Sequence, residues 1–338
     1  MRTRCLFSLL VAATFGCGGS SSSPGPGPIA PSPTPTPSTS WSVSGVVTDA
    51  ITGAAVPGAT LAFAGMPPVI SDGRGVWRIE GTGDGPGSPS LASTITAPGF
   101  IEHETRVAWT STGRSDVAFT LLPDRAPFSL DFFRQMARNG FDEPSTLEPI
   151  RRWTSNPNFY LNAHNPRTGE KLVASEIATI DAAIRAAVPQ LTGGLFSAGA
   201  IEVGVTARDM RPGYINIDIV YDPSADYCGR ALVGANPGRI LLNYDRCFVS
   251  WCREAISANV VAHEVGHAMG FWHVAEGMMV GEFKDCRSTT FTETERIHAR
   301  LAYLRPSGNV DKDTDPVGFL SYTAEDSPVI TCNNAPKR

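Results

Sequence analysis

The stretch Val260–Gly281, VVAHEVGHAMGFWHVAEGMMVG, decides how the second half of this chain is read. It holds three of the chain's six histidines within eleven residues. His263 and His267 stand four apart, so on a helix they project from one face, about one turn apart. Two imidazoles placed in this way can share one zinc ion, which takes nitrogen ligands at roughly 2.0–2.1 Å. Glu264 follows the first histidine and points round the helix, towards the place of a metal-bound water. Zinc lowers the pKa of such a water to about 7, and a carboxylate can take its proton as it attacks a carbonyl.

A third ligand separates catalysis from scaffolding, because three protein ligands leave a place for water and four close the site. Gly270 lies three residues after His267, and His273 three after that. A glycine at Gly270 can take a positive φ, end the helix and turn the chain so that His273 comes back to the metal.

The string His263-Glu264-x-x-His267-x-x-Gly270-x-x-His273 resembles the signature of the metzincin zinc endopeptidases. The resemblance implies that His263, His267 and His273 bind one catalytic zinc. It implies that Glu264 serves as general base and then as proton donor to the leaving amine. It also implies a Met-turn, whose thioether packs beneath the metal. In AEGMMVG, Met279 is expected in that role, with Met278 filling the apolar position before it. Trp272 and the Arg-Trp of IRRWTSNPNFYLN look like the matrixin side of the clan. Gly281 stands where astacin-like and serralysin-like members carry a tyrosine ligand, and no PRCGxP latch element precedes the unit.

Around this motif, residues 127–338 read as an α+β zincin unit with a mixed, twisted sheet and an active-site helix. In VASEIATIDAAIRAAVP, Ile177, Ile180, Ile184 and Val188 fall on one helical face. AIEVGVTA, GYINIDIVYD and GRILLNYD are strand candidates. The resemblance suggests GRILLNYD as the edge strand that pairs with an extended substrate. A helix is expected from Arg253 to about Gly270. Another is expected over TETERIHARLAYL, where Thr292 and Glu295 have capping-box spacing. His164 and His298 are expected to be structural or exposed.

Residues 41–123 alternate in short strands between Gly/Pro turns, which predicts an antiparallel β-sandwich. SGVVTDAITGAAVPGATLAF, SDGRGVWRI and ITAPGF resemble the carboxypeptidase-regulatory-like, transthyretin-type domain, which implies a spacer or binding module. His103 is expected on an exposed strand or loop.

The opening MRTRCLFSLLVAATFGC pairs Arg2 and Arg4 with an apolar stretch and small residues, the pattern of a secretory signal over residues 1–16. ATFGC resembles a bacterial lipobox, with Cys17 as the lipidated residue. Residues 17–40, rich in Ser, Pro and Gly, cannot bury a core and read as a disordered tether. The expected setting is therefore an exported lipoprotein, attached to a lipid membrane of the cell envelope or surface, or else secreted. A net charge of −5 with no basic run argues against a nucleic-acid partner. Outside the cytoplasm Cys228, Cys247, Cys252, Cys286 and Cys332 are expected to form disulfides, with one of the five left over. Asp311, Asp313 and Asp315 alternate in GNVDKDTDP. Such carboxylates can hold calcium, but without a nearby Gly and distal Glu a solvated acidic loop is the favoured reading.

The function expected from the sequence is zinc-dependent hydrolysis of peptide bonds in a protein or peptide substrate. The alternative is a catalytically inactive surface binding lipoprotein with a structural zinc site.

Overall fold

The computed structural model describes residues 40–83, 90–109, 113–225, 227–245, 255–281, 287–318 and 320–333, the last without the side chain of Asn333. The signal segment, the tether and Cys17 lie outside the described residues, as do Cys247, Cys252 and Cys286. Among the described residues no helix is long and apolar enough to cross a membrane.

Seven strands build the first layer pair: β1 (Ser40–Asp49), β2 (Thr60–Phe63), β3 (Val69–Ile70), β4 (Val76–Thr82), β5 (Ser90–Thr96), β6 (His103–Ala108) and β7 (Gly113–Leu121). Inward side chains alternate with outward ones along β1, placing Trp41, Val43 and Val47 in a core with Leu61, Trp77, Ile95 and Phe119. One sheet has the order β4-β1-β7 and the other β3-β2-β5-β6. The sandwich is not wholly antiparallel, because β1 runs parallel to β7. Alternation fixes which face is buried and says nothing about the direction of the neighbour. The β1–β7 register shifts between Val43 and Gly45, where a Cβ on Gly45 would meet the Val117 carbonyl. That backbone approach admits only glycine.

The larger core belongs to α1 (Leu130–Arg138), β8 (Asn158–Asn162), α2 (Ala174–Leu191), β9 (Ile201–Gly204), β10 (Tyr214–Val220), β11 (Tyr227–Leu232), β12 (Gly238–Asn243), α3 (Ala258–Ala268), α4 (Glu293–Tyr303) and β13 (Val329–Asn333). The sheet is mixed, with the order β13-β11-β12-β10-β8-β9. Strands β12, β10, β8 and β9 run parallel, whereas β11 is antiparallel to both β12 and β13. Isoleucines on β10 and the apolar face of α2 (Ile180, Ile184 and Val188) are fully or nearly fully buried between sheet and helices. Ile177 is only half-buried at the near end of that face.

GRILLNYD is not an edge strand: β12 lies between β10 and β11. A strand's place in a sheet depends on connections elsewhere in the chain, which its own alternation does not encode. Helix α3 begins at Ala258 rather than near Arg253, because Ser257 caps it, its side chain accepting from the Val260 N–H.

The sandwich is joined to the second unit by direct contact. Ala50, Ile101 and Leu122 enter the larger core, and Arg300 donates to the carbonyls of Ala50 and Ile51. His103 is buried, not exposed, with Nδ1 3.2 Å from Asp313. The acidic run is likewise no solvated loop. Arg305 forks onto both oxygens of Asp313 at 2.6 and 2.7 Å, Arg134 holds Asp311, and Asn309 and Thr105 donate to Asp315. The atoms of His103, Asp313 and Asp315 lie close enough to share a cation. The Arg305 guanidinium already offsets the Asp313 charge and occupies both of its oxygens, which disfavours calcium.

Candidate metal centre

Helix α3 carries His263 and His267 into the core, and its C-terminal end is fixed from outside. The indole of Trp153 donates to the Ala268 carbonyl at 2.9 Å, and the Tyr303 hydroxyl to the Met269 carbonyl at 2.8 Å. These donors satisfy carbonyls that a helix end leaves orphaned. Gly270 follows with φ 106°, and a Cβ there would lie 1.9 Å from the Arg151 carbonyl oxygen. Both the backbone angle and the close approach require glycine. The Trp272 N–H donates to the Met136 carbonyl, and His273 then comes back to the other two.

All three imidazoles are oriented through Nδ1. His263 donates to the Met278 carbonyl at 2.7 Å, His267 to the Phe271 carbonyl at 2.7 Å, and His273 to the Asp142 carboxylate at 2.9 Å. Carbonyl and carboxylate oxygens only accept, so each Nδ1 carries a proton and each ring is turned with Nε2 towards the shared centre. Burial, and then the neighbouring His273, depress the pKa of His263 to about 3. Burial followed by His263 and His273 pushes His267 well below the usual histidine value. Both rings are therefore neutral near pH 7, the form a metal requires.

Met279 packs its side chain against α3 at Gly266. Its Sδ occupies the space that a Cβ on Gly266 would need, between the two helical histidines. Met278 contributes its carbonyl to His263, and its sulfur accepts from Asn259 at 3.1 Å.

Glu264 is fully buried, and neither carboxylate oxygen accepts a hydrogen bond of ordinary geometry. Burial raises its pKa well above the usual carboxylate range, with the Cys332 thiol pulling the other way. Room for the carboxylate comes from Gly229 on β11, where a Cβ would lie 2.4 Å from Oε1.

Cys332 was expected in a disulfide, yet it is a free, buried thiol on β13 at the centre of the histidines. Its Sγ lies 2.5, 3.5 and 3.9 Å from Nε2 of His263, His273 and His267. The four ligand atoms all fall within 4.8 Å of one another. Tetrahedral zinc, with bonds of roughly 2.05 Å to nitrogen and 2.3 Å to sulfur, would separate N and S by about 3.5 Å. Two contacts match that spacing, and the His263 contact needs only to lengthen. The donor set of three imidazoles and one thiol fits zinc. Cys228 is disulfide-bonded, to a partner outside the described residues.

The structure thus brings together His263, Glu264, His267, Gly270, His273 and Met279. Asp142, Gly229 and Cys332 join them without having been singled out as site residues. The odd count of five cysteines beyond Cys17 already left one over for any set of pairs, and VITC alternates like a strand. Nothing in the sequence marks Asp142, which lies 131 positions from His273. His298 is structural: its Nδ1 donates to the Thr294 carbonyl and its Nε2 accepts from the Ser129 N–H.

No family model matches the chain, and no curated protein does. Among solved structures it is similar to a 9R-lipoxygenase from Cyanothece PCC8801, with 12% identity over 45% of this chain and 23% of that chain. The TM-score is 0.17, so this likeness carries no argument about fold or function.

Proposed function

We propose that the protein is a zinc endopeptidase of metzincin type, with His263, His267 and His273 as metal ligands and Glu264 as the acid–base residue. The observation that carries this reading is the carboxylate of Glu264, buried beside three Nε2 atoms without a hydrogen bond of ordinary geometry. An unpaired buried carboxylate costs several kcal/mol, a cost that makes sense where a reacting water and a metal complete its surroundings. Zinc held there would supply Lewis-acid polarisation of the scissile carbonyl and a lowered pKa for water entering the fourth position.

The chain's own residues do the rest. Glu264 takes a proton from the attacking water and returns it to the leaving nitrogen, as a carboxylate poised between two roles can. Met278, Phe271 and Asp142 hold the three rings in one tautomer. Strand β11, whose outer side β13 occupies, is the strand on which an extended peptide would align once that side is free.

A second reading is favoured by Cys332. Three histidines and one cysteine make a closed four-ligand site, the form of structural zinc. That reading predicts metal without turnover, as in an inactive binding protein. The Cys332→Ser background, in which the thiol is gone, separates the two. There Glu264→Gln should retain zinc and cleave peptides roughly 10²–10⁴-fold more slowly than its parent. Zinc content together with a peptide-library digest checks this. A parent that holds zinc and cuts nothing supports the structural reading. A Gln variant that loses its zinc would show that Glu264 supports the metal and is not the base.

A further inference from the structure

We propose that β13 is a pseudosubstrate: the chain's own C-terminal strand occupies the peptide-binding edge and Cys332 caps the metal, so that the protein folds in a latent form. The proposal rests on the endopeptidase reading and names its regulation.

Strand β11 would be the free edge of the sheet if β13 were not on it. The tail adds to that edge antiparallel, with Leu232 opposite Val329, Ala231 opposite Ile330, Arg230 opposite Thr331 and Gly229 opposite Cys332. This is β-strand addition within one chain. Gly229, which leaves room for the Glu264 carboxylate, is therefore also the residue facing the cysteine. The side chains alternate as a bound peptide's would. Ile330 is buried with Val233 and Trp272, the latter inside the zinc motif, whereas Val329 is 59% exposed. Two residues on, Cys332 returns to the same face and reaches the three Nε2 atoms. The reacting place, bounded by those nitrogens and the buried Glu264 carboxylate, is thus filled by a thiol from the tail.

The attachment is reversible in kind. Residues 320–328 form neither helix nor strand, and most of 320–326 is exposed. They rest on Arg151, whose guanidinium donates to the Asp326 carbonyl and the Ser327 hydroxyl and lies 4.1 Å from the Tyr322 ring. Among the described residues no disulfide ties the tail to the sheet, since Cys332 is free. A cut in 320–326, or a partner that draws the tail away, would open the edge and the metal together. The same packing predicts which substrates the opened site prefers: extended peptides with a branched aliphatic residue at the position of Ile330.

The test uses the full chain loaded with cobalt(II) in place of zinc. Wild type should show thiolate-to-cobalt charge-transfer absorption, and Cys332→Ser should lack it while still binding cobalt through the histidines. In the zinc form, Cys332→Ser, and Ile330→Asp, which expels the strand while keeping the thiol, should each cleave peptides about 10–100-fold faster than wild type, as for a site closed 90–99% of the time. Cobalt bound without the sulfur band would overturn the latch and leave the three-histidine site standing. A sulfur band with no gain of cleavage in either variant would mean a closed structural site, ending both the latch and the endopeptidase reading. No cobalt binding at all would remove the metal centre on which both depend.

Discussion

Gly266 lies between His263 and His267 on α3, and a Cβ there would come 2.3 Å from the Met279 sulfur. Gly229 gives its missing side chain's space to Glu264, and Gly270 gives its own to the Arg151 carbonyl. At this scale the site is shaped as much by absent atoms as by ligands. Gly270→Ala should be costly on two counts, a positive φ and a backbone collision, together roughly 3 kcal/mol or more. Gly53→Ala is the control: its φ is 69°, but nothing lies within 4 Å of the added carbon. That change should cost only about 1 kcal/mol. Urea unfolding of both variants, with zinc titration of each, makes the comparison. Zinc affinity should fall only for Gly270→Ala, since only that turn delivers His273. Equal destabilisation of the two would show that the collision is relieved by backbone movement. Gly270 was legible in the sequence, with the histidines and Glu264, because the motif is local: spacings of three and four on one helix fix directions without knowledge of the fold, whereas Gly229 and Gly266 were not singled out. Cys332 was not legible, since it stands 59 residues from His273 and reaches it only through a strand pairing.

Between residue and fold, helix α4 does more than its amphipathic face requires. Its N-terminal capping box is formed as the Thr292–Glu295 spacing predicts, with Glu295 accepting from the Thr292 N–H at 2.7 Å. The same carboxylate is fully buried and accepts from the Met279 N–H at 2.7 Å through its other oxygen. Gly277, at φ 117°, has no room for a Cβ beside it. The cap of one helix thereby sets the turn that supplies the Met279 sulfur and the Met278 carbonyl of His263. Glu295→Ala would leave the buried Met279 N–H unmet and remove the cap on the Thr292 N–H, at about 2–4 kcal/mol. Because His263 loses a fixed acceptor, zinc affinity should also drop. Exposed Glu293→Ala in the same turn should change stability by no more than about 0.5 kcal/mol. Denaturant unfolding of the metal-free proteins and competitive zinc titration measure both effects. If Glu295→Ala lowers stability but leaves zinc affinity intact, the cap and the metal centre are independent. The capping spacing could be read from the sequence. Its second use could not, because Met279 and Glu295 are joined only in the folded chain.

For the whole molecule, the joint between sandwich and metal-bearing unit depends on charges that composition presents as a loop. The parallel pairing of β1 with β7 and the interior place of β12 escaped the sequence for the same reason: alternation reports faces, and connectivity decides neighbours. At the joint, Asp313 meets His103 of β6, and Arg305, after α4, which also donates to Thr120 of β7. Asp315 faces His103 from the other side, at 3.6 Å. Burial alone would raise the Asp313 pKa, but Arg305 and then His103 overcome it and hold it at about 2, against 3.8 for the free carboxyl. A carboxylate whose folded pKa is depressed contributes stability that is present above its unfolded pKa and lost as pH falls through the folded one. The contribution, about 2 kcal/mol, should therefore be complete above pH ~5 and decline between pH ~4 and ~2. Comparing wild type with Asp313→Asn isolates it, because the other carboxylates titrate in both proteins and cancel in the difference. Urea midpoints measured from pH 6 down to pH 2 should show the wild-type advantage shrinking over that window. A residual gap should remain, since Asn leaves the Arg305 guanidinium buried with weaker partners. A difference that stays constant from pH 6 to pH 2 would mean that Asp313 keeps its proton equilibrium unchanged on folding, and that the joint is held by the apolar contacts at Ala50, Ile101 and Leu122 and the Arg300 and Arg305 hydrogen bonds to the sandwich backbone, without a contribution from its charge.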